Sequence, residues 1–117
     1  MGARTHVFVS DVVAEAPVPK TGILSRTLHV DEDSKVLVFA FDTDQELSSH
    51  TSPFPALLYF VQGEGWLGVG GQRYKVQPGS LLYMAPFVEH SVHAGSPMVM
   101  LLVLFRKGHV GGGSPAG

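Results

Sequence analysis

Residues 56–84 read ALLYFVQGEGWLGVGGQRYKVQPGSLLYM, and this stretch is the strongest indicator of the fold class. It contains short runs rich in Val, Leu, Phe and Tyr, and clusters of Gly and Pro separate these runs. Such a rhythm, repeated about every eight to twelve residues, is typical of short strands joined by turns. Gly70 and Gly71 stand between two of the runs, which is a good signal for a β-hairpin. We therefore predict antiparallel strands at residues 56–62, 66–69, 73–76 and 80–84.

The same pattern continues on both sides of this stretch. Further apolar runs occupy residues 36–41, 90–94 and 98–105. No segment keeps apolar residues at a helical period of 3.6 over three turns, and residues 10–16 are long enough for only a short helical turn. Seven or more antiparallel strands without a layer of helices predict an all-β protein, either a barrel or a double-sheet jelly roll.

Composition limits the classes of function. The chain has 117 residues, which is the usual size of one domain. Charged residues make up 15% of it, against roughly 25% in ordinary soluble domains. The net charge is -2 and no cluster of Lys or Arg occurs, so we expect no nucleic-acid partner and no anionic membrane surface.

The chain contains no cysteine. Disulfide bonds and thiolate metal sites are therefore excluded, and any metal must be bound through nitrogen or oxygen. The longest apolar run, residues 98–105, is far shorter than the roughly 20 residues that span a bilayer as a helix. Residues 1–13 lack the apolar region of a secretory signal. We expect a cytoplasmic protein that does not enter a membrane.

We predict a single barrel domain over residues 1–110. Within it, residues 1–27 are expected to form a peripheral arm along the outside of the barrel or onto a partner subunit. Residues 111–117 contain only Gly, Ser, Pro and Ala, which predicts a flexible tail. Both alternating faces of residues 98–105 are apolar, so one face would line the barrel and the other would need a cover. This favours a homodimer.

Two histidines stand at fixed distances from two glycines. Gly63 follows His50 by thirteen residues, and His90 follows Gly79 by eleven. These spacings resemble the two motifs of the cupin family. The first motif reads His, any residue, His, three or four residues, Glu, six residues, Gly; the second reads Gly, five residues, Pro, any residue, Gly, two residues, His. The resemblance implies the family's jelly-roll barrel, also called a double-stranded β-helix, and it covers most of the chain.

The sequence departs from the family's motifs at two ligand positions. Ser52 stands where the family has its second His, and Ala56 stands where it has Glu. The resemblance therefore implies two metal ligands, His50 and His90, and one weakly bound divalent transition metal (Fe, Mn, Zn, Ni or Cu). Nothing in the spacing selects a third ligand, although Gln45, Glu46 or a neighbouring chain are candidates.

Strand alternation predicts a ligand pocket around the histidine pair. If His50 points into the barrel, every second residue nearby shares its face, and Val92 lies on the facing strand. Phe87, beside the turn of the second motif, is expected at the rim. The predicted pocket is mostly apolar with a small polar floor, and its lining is Ser48, Ser52, Ala56, Leu58, Phe60, Phe87 and Val92. His93 should face the other way, towards the surface or an interface.

The leading functional hypothesis is a cupin that binds a compact small molecule near His50 and His90, as a sensor or a carrier. The resemblance also implies an alternative, a metal-dependent dioxygenase or isomerase in which the metal acts as a Lewis acid. A third reading is a metal-free sugar-type isomerase with one of the two imidazoles as general base. A structural role for the pair stays open, and no catalytic residue is assigned.

Overall fold

The computed structural model describes residues 5–106, which form nine β-strands and one short helical turn. The 3₁₀ turn covers Val13–Glu15, where the Asp11 carboxylate accepts hydrogen bonds from two backbone N–H groups. The strands are β1 (Ile23–Val30), β2 (Ser34–Phe41), β3 (Glu46–His50), β4 (Ala56–Gln62), β5 (Gly65–Val69), β6 (Gln72–Val76), β7 (Leu81–Met84), β8 (His90–Ala94) and β9 (Met98–Phe105).

All seven runs that the sequence predicts as strands are strands. Two strands were not predicted. β3 reads ELSSH and is too polar to give an apolar signal, and β1 lies partly within the segment that was assigned to a peripheral arm. Gly70 and Gly71 both have positive φ (56° and 84°), as a two-residue type I′ turn requires, and they join β5 to β6.

The strands form two antiparallel sheets. The five-stranded sheet has the order β1-β2-β9-β4-β7, and the four-stranded sheet has the order β3-β8-β5-β6. This confirms the all-β jelly-roll barrel. Among residues 5–106, no helix is long and apolar enough to span a bilayer.

The main core lies between the two sheets. Alternate residues of each strand point inward, so the even-numbered residues of β9 meet inward side chains of the facing strands. Burial of one such Phe or Met side chain stabilises the fold by about 1.5–3 kcal/mol. The largest fully buried side chains in this core are Phe41, Phe60, Met98, Met100 and Val92.

A second apolar cluster lies on the outside of the five-stranded sheet. Val38 and Val99 are fully buried there, together with Ala16 from the N-terminal segment, and Val12, Val13 and Val18 pack against them. The predicted arm, residues 1–27, therefore has two parts within the described residues. Residues 12–18 cover the sheet, and residues 23–27 belong to the edge strand β1. The predicted tail, residues 111–117, lies outside the described residues.

Candidate functional site

Pairing of β3 with β8 places His50 directly opposite His90. The two ring centroids are 4.2 Å apart and the ring planes are inclined by 55°. The sequence can show each histidine at its motif position, but only the antiparallel pairing brings the two imidazoles into contact.

Each imidazole uses one nitrogen to bond the backbone. His50 Nδ1 lies 2.8 Å from the Ser48 carbonyl oxygen, and His90 Nδ1 lies 3.0 Å from that of Val88. A carbonyl oxygen only accepts, so Nδ1–H must donate in both rings. In the neutral form of each ring, Nε2 then carries the free lone pair. The site thus offers two hydrogen-bond acceptors of the same kind.

The two histidines differ in exposure. His90 is 9% exposed, whereas His50 is exposed. Burial lowers the pKa of His90, its hydrogen bond to Val88 opposes this shift, and the nearby His50 adds to it. The lowered pKa favours the neutral form of His90.

The histidine pair borders a small cavity of about 140 Å³ between the two sheets. Apolar side chains form most of its wall, and the Ser52 hydroxyl is the remaining polar side chain. Ser52 Oγ accepts a hydrogen bond from the Phe54 backbone N–H at 3.2 Å, which leaves its own O–H free to donate. The lining consists of His50, Ser52, Phe54, Ala56, Met84, Ala85, Val88, His90, Leu102 and Leu104.

Of the residues predicted to form the site, His50, His90, Ser52 and Ala56 line the cavity. Three others lie in the hydrophobic core, where they are 0–2% exposed: Leu58, Phe60 and Val92. They share the inward face, but they lie among the packed side chains of the core.

Two further predicted pocket residues lie outside the cavity. Ser48 is exposed, because the register of β3 against β8 shifts between Leu47 and His50 and breaks the alternation on which the prediction rested. Leu47 packs against the core in its place. Phe87 is 68% exposed, has a φ of 65°, and is not part of the lining.

Six lining residues were not predicted. Met84, Leu102 and Leu104 follow from the alternation of β7 and β9, so the sequence does contain a signal for them. Phe54, Ala85 and Val88 lie between strands, where no periodicity applies. Their place in the cavity depends on how the loops cross the end of the barrel.

The residues at the site do not supply the ligand set of a tightly bound metal. Within residues 5–106, no group of three or more acidic or His side chains is placed to hold one ion. Glu46, a candidate third ligand, contacts His93 instead, with Oε1 at 3.3 Å from Nδ1. Two imidazoles on one tetrahedral ion at about 2.0–2.1 Å would have centroids about 5 Å apart, so the rings would have to separate to share a metal.

Comparison with known proteins assigns the family. The family model described as the AraC-like ligand-binding domain matches residues 36–112, more than half of the chain. The chain belongs to this family. The AraC-like domain has the cupin fold, and the match includes both histidines and the whole cavity lining.

Solved structures share the fold of this chain. A conserved protein of unknown function from Streptococcus pyogenes has a TM-score of 0.78 and 29% identity, over 89% of this chain and 91% of that one. A cupin superfamily protein from Desulfitobacterium hafniense has a TM-score of 0.80 and 16% identity, over 90% of this chain and 100% of that one. This AraC-like domain is a small cupin.

A third structure belongs to a much larger protein. Salicylate 1,2-dioxygenase from Pseudoaminobacter salicylatoxidans has a TM-score of 0.68 and 12% identity, over 79% of this chain and 27% of that one. At this identity the likeness concerns the fold alone. The search of curated proteins found no match to this chain.

Proposed function

We propose that this small cupin binds a compact small molecule in the cavity beside His50 and His90. The observation that carries the proposal is the combination of an apolar wall with two imidazole acceptors and one hydroxyl. Apolar cavities with a few convergent polar groups are the usual form of small-molecule sites. The family match to a ligand-binding domain supports the same function.

A bulky substitution at the exposed edge of the cavity tests this function. Ala85 is exposed and lines the cavity, so Ala85→Trp should block entry without disturbing the core. We expect compounds from a fragment library to raise the melting temperature of the wild type, and Ala85→Trp to abolish this shift. A ligand at about 100 times its Kd adds about 2.7 kcal/mol of stability, which a thermal scan detects.

Ala14→Trp is the matched control, because Ala14 is exposed and does not line the cavity. The control should keep every shift seen with the wild type. If a compound raises the melting temperature of Ala85→Trp as much as that of the wild type, it binds outside the cavity. That result would refute the proposal.

The alternatives are a metal-dependent dioxygenase or isomerase, which requires more ligands than the two imidazoles that line the cavity, and a metal-free isomerase, which requires only an imidazole base. Elemental analysis of the purified protein separates these readings. About one transition metal per chain, lost in both His50→Ala and His90→Ala, would favour the metal enzyme. Turnover that both variants lose in metal-free protein would favour the isomerase.

We also propose that the chain pairs with a second copy through the outside of the five-stranded sheet. Among residues 5–106, the N-terminal segment packs over β2, β9 and Val61 of β4, and exposed side chains remain on β4 and β7. Tyr59, Leu81 and Tyr83 are 42%, 66% and 59% exposed. The pairing of β4 with β7 and β9 makes this patch continuous, and its members carry no charge: Leu57, Tyr59, Leu81, Tyr83, Leu101 and Val103. An uncharged patch can face its own copy without repulsion, so a twofold dimer suits it.

A lysine in this patch should separate the dimer. In Tyr83→Lys, a twofold interface would bring two ammonium groups into an apolar contact, and the cost of burying them favours monomers. We expect light scattering to give a dimer mass for the wild type and a monomer mass for this variant. Tyr74→Lys is the control, since Tyr74 is 50% exposed on β6 of the other sheet. A monomeric wild type would refute the dimer.

A further inference from the structure

The lining of the cavity restricts the chemistry of its ligand, and this inference rests on the function proposed above. None of the ten lining residues is Asp, Glu, Lys or Arg. A charged ligand would lose its hydration on entry and find no opposite charge to replace it. The cavity therefore selects an uncharged molecule.

The hydrogen-bonding role of the two imidazoles is also fixed. Both Nδ1–H groups are already donated to carbonyl oxygens, so the two rings present acceptors. A ligand that only accepts hydrogen bonds would leave the Nε2 lone pair of the buried His90 unpaired on entry, which costs free energy. The ligand must therefore carry a donor such as O–H.

Size and wall chemistry indicate the body of the ligand. The cavity of about 140 Å³ is well below the roughly 300–1,000 Å³ of sites for drug-sized molecules. It is close to the about 150 Å³ of an engineered apolar cavity that accepts benzene. Phe54 and Met84 stand in the wall, and phenyl rings and thioethers both make favourable contacts with aromatic rings.

We infer that the cavity binds a small phenol, an uncharged aromatic ring whose O–H donates to Nε2 of His50 or His90. The ring lies against Phe54, Met84 and the leucines of β9. The Ser52 hydroxyl is available to donate to the phenol oxygen. No reaction is implied, since the assignment concerns recognition alone.

Four probes separate the three features of this assignment. Phenol carries all of them; anisole lacks the donor, cyclohexanol lacks the aromatic ring, and benzoate carries a charge. Each is titrated into the full chain at about pH 8, and the shifts of backbone amide signals around the cavity give its Kd. We expect phenol to bind about three- to tenfold more tightly than anisole, because the free energy of one neutral hydrogen bond corresponds to a ratio of about this size. Cyclohexanol and benzoate should bind more weakly than phenol.

Variants assign the acceptor. His50→Phe and His90→Phe each remove one Nε2 and keep an aromatic ring, so the preference for phenol over anisole should shrink in at least one of them. His93→Phe is the matched control, because His93 contacts Asp44 and Glu46 and does not line the cavity. It should keep the full preference.

The outcomes separate this inference from the proposed function. If anisole, cyclohexanol or benzoate equals or exceeds phenol at the cavity, the phenol assignment is overturned, but the cavity still binds a ligand. If no probe shifts the cavity signals, the phenol assignment is also overturned, and the fragment screen with Ala85→Trp then decides the proposed function independently.

Discussion

Gly63→Ala is expected to lower the free energy of unfolding by at least about 4 kcal/mol, enough to leave the protein marginally folded. Gly63 has a φ of 83°, and a Cβ there would lie 2.1 Å from the Pro97 carbonyl oxygen and 2.7 Å from Met98 Cα. These are backbone atoms, so no side-chain rotation relieves the contact. Urea denaturation followed by circular dichroism measures the loss.

Gly71→Ala is the matched control. Gly71 has nearly the same φ, 84°, but nothing lies within 4 Å of the position that a Cβ would take. Only the cost of a left-handed residue applies, about 1–2 kcal/mol. If the two variants lost the same stability, the close approach of Gly63 to the start of β9 would be refuted.

Phe60→Ala is expected to cost about 3–5 kcal/mol, because it removes a fully buried ring and leaves a cavity in the core. The sequence placed Phe60 in the ligand pocket, and the two placements differ in their consequences. Truncation of a residue that only borders an open pocket would change ligand binding more than stability. A core residue lowers the unfolding midpoint in the absence of any ligand.

Phe87→Ala provides the comparison. The Phe87 side chain is 68% exposed, and truncation of an exposed side chain changes stability by about 0.5 kcal/mol or less. Urea denaturation of both variants, without added ligand, gives the difference directly. A loss at Phe87 as large as that at Phe60 would show that Phe87 is buried and would contradict its exposed position.

The sequence was sufficient for seven of the nine strands in the described residues and for the class of fold. Short apolar runs separated by turn residues depend only on neighbours along the chain, and all seven predicted runs are strands. The motif spacings likewise located both His50 and His90. β3 was missed because its exposed and polar ELSSH gives no apolar signal, although it carries one of the two histidines.

The cavity lining depends on contacts between distant parts of the chain. The register shift before His50 turns Ser48 outward, and this shift exists only in the pairing of β3 with β8. The loops that contribute Phe54, Ala85 and Val88 are placed by the strands that they connect. Local alternation can therefore show which residues share a face, but it cannot distinguish core from cavity on that face.

The apolar runs and the motif spacings could be recognised in the amino-acid sequence, because strand and turn preferences depend on residues only a few positions apart. The tertiary structure alone decided that the N-terminal segment covers β2 and β9, and that Leu58, Phe60 and Val92 are buried in the core. It also decided that the ring centroids of the two imidazoles lie 4.2 Å apart. Each of these features arises from hydrogen-bonded registers and packing between residues far apart in sequence, which no local pattern encodes.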